Sequence, residues 1–268
     1  MITILNAGNY KVFDGIIIQT LSLIKHTKES INMITLTMSL FEKNENYKPI
    51  TKECSDYIEK LLKSENKESK HTLIDLTSEF KKELINSVNI NNHFTPYAML
   101  RLLADKIALP QKYIYLDTDT IINRDISLLY NIDISSHELG VVRDAYRINP
   151  KYFNSGVMLV NHTECLKNNL YKKARKIVIH KKLLYTDQTA LNRACKKRKM
   201  LPLIYNAKDK YYKDIVIHHF CNVRKKGNWF FRVKPWHVEL VKQKMNNYND
   251  ILDEYLKRKT FDDWPIFA

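Results

Sequence analysis

Lys112-Tyr113-Ile114-Tyr115-Leu116-Asp117-Thr118-Asp119-Thr120 is the stretch that decides the fold. Its apolar and aromatic residues predict a short buried strand, which runs directly into two aspartates separated by one residue. Open α/β sheets bind ligands at the carboxyl ends of their strands. Two carboxylates there can chelate a hard divalent cation that carries a phosphate-bearing substrate. The alternative is a pair of solvated turn carboxylates that cap a helix.

Strands and helices are predicted to alternate on both sides of this stretch. The predicted strands cover 2–5, 31–36, 72–76, 139–142, 157–160, 201–204 and 215–217, and the predicted helices cover 12–24, 51–64, 97–109, 163–181 and 187–199. This order favours an α/β fold around a mainly parallel central sheet. Repeats, linkers and low-complexity tracts are missing from the sequence, so residues 1–268 are expected to form one domain.

Composition limits the class of protein. With 268 residues and 44% hydrophobic content the chain can bury a core, and its formal net charge of +15 predicts attraction to nucleic acid, anionic membranes or phosphorylated small molecules. Apolar runs stay well short of the roughly 18 residues of a membrane span, and a cationic signal leader is absent. Four cysteines without a Cys-x-x-Cys pair exclude a zinc ribbon and fit a reducing cytoplasm.

A histidine pair supplies a third candidate metal ligand. His218-His219-Phe220 follows the apolar run Ile215-Val216-Ile217, and neutral imidazole is the commonest nitrogen ligand of divalent metals. One histidine with two carboxylates would suit Mn²⁺, with Mg²⁺ also tolerated. The alternative is a structural histidine at a strand end.

Two further segments have a functional and a structural interpretation. Asn154-Ser155-Gly156 is either a tight turn into a buried strand or an open backbone against which a sugar lies. Thr186-Asp187-Gln188-Thr189 fits the first turn of a helix, and spacing alone does not make Gln188 catalytic. The five glycines form neither a phosphate-binding nor a dinucleotide-binding loop, which removes support for kinase, GTPase and ordinary dinucleotide folds.

Taken in order, the motifs resemble glycosyltransferase family 8, which includes glycogenin and bacterial lipopolysaccharide glucosyl- and galactosyltransferases. The resemblance is carried by five motifs: Thr95-Pro96-Tyr97 with Arg101 and Leu102, Tyr115 to Thr120, Phe153 to Asn161, Asp187 to Asn192, and His219-Phe220 with Lys234-Pro235-Trp236. It covers most of residues 1–236. Five linked motifs in register are more specific than any one of them.

The resemblance implies a GT-A, Rossmann-like nucleotide-sugar-binding domain that uses Mn²⁺ and a UDP-sugar and retains the anomeric configuration. By position, it assigns Asp117, Asp119 and His219 to the metal. Tyr10 would stack on uracil beside Ala7 and Asn9, and the donor would also be bound by Arg101, Thr118, Asn154 and Gly156. Asp187 and Gln188 would contact the donor sugar as the catalytic candidates, Lys234 would reach the diphosphate, and Asp144 would face the acceptor. Front-face attack by the acceptor hydroxyl is favoured over double displacement, because Gln188 is a neutral amide.

The sequence departs from the family pattern after the histidine. Cys221-Asn222 leads into the longer segment Val223 to Phe231, where the family soon reaches its Lys-Pro-Trp. Lys225 or Lys226 could therefore replace Lys234 at the diphosphate. The insertion over 222–233 could also be a flap that orders over the donor.

The expected function is hexose transfer, of glucose or galactose, from a UDP-sugar to a glycan acceptor in bacterial surface polysaccharide or lipopolysaccharide synthesis. Residues 238–268 are expected to form a helical extension. Its amphipathic helix over 238–256 either packs on the domain or makes peripheral contact with the anionic inner face of the membrane. The alternatives are a basic nucleic-acid-binding protein, although no nucleic-acid motif supports it, and a noncatalytic sugar-nucleotide binder.

Overall fold

The computed structural model describes residues 1–92, 94–144, 147–208, 213–221, 223–226, 229–261 and 264–265, and for 223–226, 229–231 and 261 it describes the backbone alone. The strands are β1 (Ile2–Ala7), β2 (Ile31–Thr37), β3 (Lys70–Asp75), β4 (Lys112–Leu116), β5 (Thr120–Ile122), β6 (Leu139–Arg143), β7 (Phe153–Asn161), β8 (Arg198–Leu201), β9 (Ile217–His219), β10 (Val223–Lys226) and β11 (Trp229–Arg232). The α-helices are α1 (Phe13–His26), α2 (Lys52–Glu65), α3 (Thr77–Glu83), α4 (Ser127–Tyr130), α5 (His162–Lys167), α6 (Leu170–His180), α7 (Thr186–Ala194), α8 (Val238–Lys242) and α9 (Asn249–Phe261).

Seven strands form the central sheet in the order β3-β2-β1-β4-β7-β6-β8. β1 pairs in parallel with β2 and β4, β2 with β3, and β6 with β8, whereas β7 runs antiparallel to both of its neighbours. The predicted α/β fold with a mainly parallel sheet is therefore confirmed. The carboxyl ends of β1 and β4 meet at the edge where β7 begins.

Alternation along the strands places a hydrophobic core on each face of the sheet. In β4, Ile114 and Leu116 join one cluster and Tyr113 and Tyr115 join the other, as expected when successive side chains point to opposite faces. Helices α1, α2 and α9 cover the first face, and α6 and α7 cover the second. Because both faces of the sheet are buried at β4, the sequence of this strand is a nearly continuous apolar run after Lys112.

Several predicted elements differ from the observed ones. The strand predicted over 201–204 is wrong beyond Leu201, where β8 ends, because a 3-10 helix follows at Leu203–Tyr205. The helix predicted over 163–181 is two helices, α5 and α6, because Asn169 adopts a left-handed conformation with φ of 55°. The segment predicted as a helix over 97–109 is a 3-10 helix at Pro96–Lys106, and α7 ends at Ala194 rather than at 199. Periodicity identifies a helix well but sets its boundaries poorly.

The segment Asn154-Ser155-Gly156 lies inside β7, so its interpretation as a tight turn before the strand is wrong. Opposite it, the register between β6 and β7 shifts between Val141 and Val142, where the ladder is irregular. Such irregularities re-aim side chains at a sheet edge. Here the side chain of Asn154 points towards α7, where its amide donates to Gln188.

The C-terminal segment is a short helix, a 3-10 turn and a longer helix rather than one helix over 238–256. The apolar side of α9 packs against α1 in the first core, where Ile251, Leu252 and Tyr255 are buried. This face therefore packs on the domain, and membrane contact of this helix stays a prediction. Among the described residues, we find no helix that is both long and apolar enough to cross a membrane.

Candidate functional site

Three metal-ligand side chains converge where β4 ends. Asp117 and Asp119 follow β4, and β5 continues from them to pair antiparallel with β9, in which His219 lies opposite Thr120. One potential ligand atom from each of Asp117, Asp119 and His219 lies within 4.8 Å of the others. A pairing between two three-residue strands thus brings together ligands that lie about a hundred positions apart in the sequence.

A chain of buried hydrogen bonds fixes the tautomer of His219. The backbone N–H groups of Ser155 and Gly156 donate to Gln188 Oε1 (3.2 Å) and Asn154 Oδ1 (3.0 Å), which sets the orientation of both amides. The amide of Asn206 then donates to Asn154 Oδ1 (2.9 Å). Its own oxygen is left to accept from His219 Nδ1 at 3.0 Å.

With the proton on Nδ1, a neutral His219 keeps its lone pair on Nε2, the nitrogen that faces the carboxylates. This buried atom has no hydrogen-bond partner among the described residues, and it lies 3.2 Å from Asp119 Oδ1 and 3.6 Å from Asp117 Oδ2. An imidazole whose other nitrogen is held by an oxygen acceptor is the usual arrangement of a metal-ligating histidine. The donor set of two carboxylates and one imidazole therefore fits a Mn²⁺ or Mg²⁺ ion.

The charges around these ligands favour a cation. Burial opposes the ionised carboxylate of Asp119, but Lys234 and His219 hold its pKa well below the usual range. Burial likewise opposes protonation of His219, yet Cys221 and Asp119 raise its pKa to about 10. The pocket between these side chains thus stabilises positive charge, whether a proton or a metal ion supplies it.

Two basic side chains flank the carboxylates. Arg101 donates to Asp117 Oδ1 at 2.5 Å, pairs with Asp187 Oδ2 at 3.2 Å, and donates to the carbonyl of Ser155 at 2.8 Å. Lys234 contacts Asp119 Oδ2 and donates to the carbonyl of Phe220 at 3.3 Å. Lys234 therefore reaches the three candidate metal ligands Asp117, Asp119 and His219, which are called the metal group below. The side chains of Lys225 and Lys226 lie outside what the structure describes.

Gly156 is required by the close approach of β7 to the metal group. A Cβ at this position would overlap the His219 ring and lie 2.8 Å from Asp117 Oδ2. No larger residue leaves room for both ligands. The space that the sequence predicted beside the backbone of Asn154-Ser155-Gly156 is therefore occupied, at least in part, by the imidazole of His219.

A second polar group surrounds Gln188. Its oxygen accepts from the side-chain amide of Asn154 at 2.9 Å as well as from the Ser155 backbone, and its nitrogen donates to Asp144 Oδ2 at 3.3 Å. Lys208 forms a buried ion pair with Asp144 at 2.9 Å, each side chain being 8% exposed. Burial raises the pKa of Asp187 against the opposing effect of Arg101.

These groups line one cavity of about 730 Å³, a size typical of small-molecule sites. The predicted residues in its lining are Ala7, Asn9, Arg101, Asp117, Thr118, Asp119, Asp144, Asn154, Asp187, Gln188, His219 and Lys234. Two predicted residues are not in it. Gly156 lies behind His219, and the hydroxyl of Tyr10 donates to Asn46 Oδ1 at 3.3 Å, with Asn46 rather than Tyr10 facing the cavity.

Sequence reasoning missed several lining residues, among them Arg147, Tyr185, Lys208 and Arg232. All four lie in connections or at the ends of elements, where no periodicity marks them. Trp236 was signalled by the Lys-Pro-Trp motif, and its ring packs so closely on Gly15 of α1 that a Cβ there would overlap it. Asn222, at the start of the insertion over 222–233, lies outside the described residues.

Comparisons with known proteins identify relatives of the chain. The model of the family described as Glycosyl transferase family 8 matches residues 2–239. Glycosyltransferase GlyA of Streptococcus pneumoniae is 29% identical over 152 residues, which are 52% of this chain and 21% of that protein. Matches to the curated relatives span only 18% to 42% of their lengths.

Solved structures show the same fold. A crystal structure of the galactosyltransferase LgtC with donor and acceptor sugar analogues aligns with a TM-score of 0.67 at 17% identity, covering 94% of this chain and 96% of LgtC. GlyE of Streptococcus pneumoniae aligns with a TM-score of 0.65 at 20% identity, covering the whole chain and 66% of GlyE. At these identities the likeness establishes the fold alone.

Proposed function

The chain belongs to glycosyl transferase family 8, and we propose on that premise that it transfers glucose or galactose from a UDP-sugar to a hydroxyl of a glycan acceptor. The transfer retains the anomeric configuration and requires Mn²⁺, for which Mg²⁺ can substitute. The acceptor is a bacterial surface polysaccharide or lipopolysaccharide, and the reaction takes place in the cytoplasm.

The convergence of Asp117, Asp119 and His219 carries this proposal. Structural carboxylates are normally satisfied by donors, and a structural histidine uses both of its nitrogens. In this site, His219 Nε2 is buried without a hydrogen bond and faces two carboxylates. A metal ion held by these three side chains would account for that arrangement.

A Mn²⁺ ion held by Asp117, Asp119 and His219 would neutralise the charge that develops on UDP as the sugar–phosphate bond opens. Lys234 lies beside Asp119 at the same place, so its ammonium can turn to a phosphate oxygen. Arg101 is fixed between Asp117 and Asp187 and is 6% exposed. Arg101 therefore holds the carboxylates of Asp117 and Asp187 in fixed positions relative to each other.

The contacts of Gln188 and Asp187 support front-face attack. Gln188 Oε1 already accepts two hydrogen bonds, and an oxygen of Asp187 is held by Arg101 and by the hydroxyl of Ser155. The Gln188 oxygen is thus already engaged, and the charge of Asp187 is shared with Arg101, so both groups are better placed to orient the sugar than to attack the anomeric carbon. The acceptor oxygen then bonds to the anomeric carbon on the face from which UDP leaves, and its proton passes to the departing phosphate oxygen.

A UDP-release assay tests the proposed function. UDP-glucose, UDP-galactose and other UDP-sugars are incubated with the protein, with and without Mn²⁺, because donor hydrolysis reveals the sugar without an acceptor. We expect metal-dependent UDP release from one hexose donor, loss of release in Asp119→Ala, and normal release in Asp133→Ala, which removes an exposed carboxylate outside the cavity.

Two results would contradict the proposal. Release that persists in Asp119→Ala or in chelator would exclude a metal-assisted transfer at this site. UDP binding without release from any donor would identify a noncatalytic sugar-nucleotide binder instead.

A further inference from the structure

We propose that the mouth of the cavity binds an anionic substituent, a phosphate or a carboxylate, of the acceptor glycan through Arg147 and Arg232. The inference rests on the proposed function, since it assigns a chemical class to the acceptor of that reaction. It concerns residues that the motifs of the sequence do not include.

Arg147 and Arg232 belong to one cluster of stacked side chains. The guanidinium of Arg147 lies over the Tyr185 ring at 4.2 Å and over the Tyr152 ring at 5.6 Å, and that of Arg232 lies over the Phe94 ring at 5.1 Å. The rings of Phe94 and Tyr185 pack against each other with centroids 5.7 Å apart. Stacking fixes each guanidinium in place before any ligand binds.

Within the described part of the chain, the charges of the cavity leave these two arginines without an acidic partner. Four aspartates line the cavity, and Arg101, Lys208 and Lys234 form ion pairs with them. Among the residues that the structure describes, neither Arg147 nor Arg232 pairs with a carboxylate. A guanidinium on an aromatic face keeps its N–H edge free, and that edge matches a phosphate or carboxylate in bidentate fashion.

The cluster borders the half of the cavity that contains Gln188 and Asp144. The backbone N–H of Arg147 donates to the carbonyl of Asp144 at 3.0 Å, and the Tyr152 hydroxyl lies 3.5 Å from Gln188 Nε2. Asp144 is the residue expected to face the acceptor. An anion held by Arg147 would therefore belong to the acceptor, whereas the metal group and Lys234 serve the UDP-sugar.

Rings at this position also suit a sugar. Phe94 and Tyr185 are half-buried, and both line the cavity. Aromatic faces pack on the apolar C–H faces of pyranose rings while their edges leave the hydroxyls to polar groups. A cavity mouth with stacked rings and two unpaired guanidiniums is thus complementary to a sugar that carries negative charge.

Binding experiments can test the inference without knowing the natural acceptor. The protein is first saturated with UDP and Mn²⁺, so that the donor half is filled, and then titrated at fixed ionic strength with glucose, glucose 6-phosphate and glucuronate. Ligand-observed NMR gives each affinity. We expect glucose 6-phosphate or glucuronate, or both, to bind at least about ten times more tightly than glucose, since a charge-assisted bidentate contact contributes that much. The two anions distinguish a phosphate from a carboxylate source.

Variants connect this preference to the two arginines. The double substitution Arg147→Gln with Arg232→Gln should abolish the preference for the anionic sugar, while UDP affinity changes less than about twofold. Arg147→Lys should retain only part of it, because the charge stays but the planar fork is lost. Arg143→Gln is the matched control, since Arg143 is exposed at the end of β6 and does not line the cavity.

The inference is wrong if neutral and anionic sugars bind alike, or if the preference survives the double substitution or is equally reduced in Arg143→Gln. A loss of UDP affinity in the double variant would assign the arginines to the donor and would also refute it. Failure of the proposed function is a separate outcome, seen as no UDP release from any donor, because sugar binding is measured without turnover.

Discussion

Asn206→Ala should weaken metal binding although Asn206 touches no metal. Its side-chain oxygen accepts from His219 Nδ1 at 3.0 Å, and it is 1% exposed, so water cannot easily replace it. Loss of this contact frees the imidazole to take the other tautomer, in which Nε2 carries the proton and cannot bind a cation. Removal of such a supporting contact typically costs 10- to 100-fold in metal affinity, or about 1.4 to 2.8 kcal/mol.

The assay is a Mn²⁺ titration of UDP release at saturating donor, together with direct Mn²⁺ binding by calorimetry. In Asn206→Ala the half-saturating Mn²⁺ concentration should rise at least about tenfold, and turnover at saturating Mn²⁺ should recover to within a few-fold. Asn206→Asp is the matched control, because a carboxylate still accepts from Nδ1 although it no longer donates to Asn154. A change below about twofold in Asn206→Ala, or an equal loss in Asn206→Asp, would refute the assignment of the tautomer.

Three further substitutions test the site and the stability of the fold. Gly156→Ala should push the His219 ring out of place, so that metal affinity falls and the free energy of unfolding drops by about 1–3 kcal/mol in a urea titration. Lys208→Met should cost about 3 kcal/mol by the same measurement, because it removes the buried ammonium that forms an ion pair with the carboxylate of Asp144. Burial lowers the pKa of His71 from 6.5 to about 4, so the unfolded chain binds the proton more readily. His71 should therefore contribute about 2 kcal/mol less stability at pH 5 than at pH 7, so the change in unfolding free energy between the two pH values should differ by about that amount between His71→Gln and the unaltered protein.

Each of these expectations has a result that would contradict it. Unchanged Mn²⁺ affinity in Gly156→Ala would show that the strand can move away from the imidazole. Asp144→Asn added to Lys208→Met should recover part of the lost stability, and no recovery would mean that the ion pair is not the cause. An equal loss of stability at pH 5 in His71→Gln would place the acid sensitivity elsewhere.

Some of the site is local in the sequence and was therefore predictable. The strand before Asp117 is apolar or aromatic from Tyr113 to Leu116, and the one-residue spacing to Asp119 is fixed by the chain itself. Helix and strand periodicity likewise gave the α/β order, since it depends only on neighbours within a few turns. The ends of α5, α6 and α7 were missed because caps and turns are decided by single residues such as Asn169.

The sequence alone determined that two carboxylates follow a strand at the edge of the sheet, because Asp117 and Asp119 are only two positions apart in the chain. Only the tertiary structure decided which imidazole meets them, which nitrogen of His219 is left without a proton, and that Lys208 pairs with Asp144. It also decided that Arg147 stacks on Tyr185 and Arg232 on Phe94, two rings that pack against each other. Those contacts join residues tens to more than a hundred positions apart, and long-range packing, which leaves no periodic trace in the chain, brings them together.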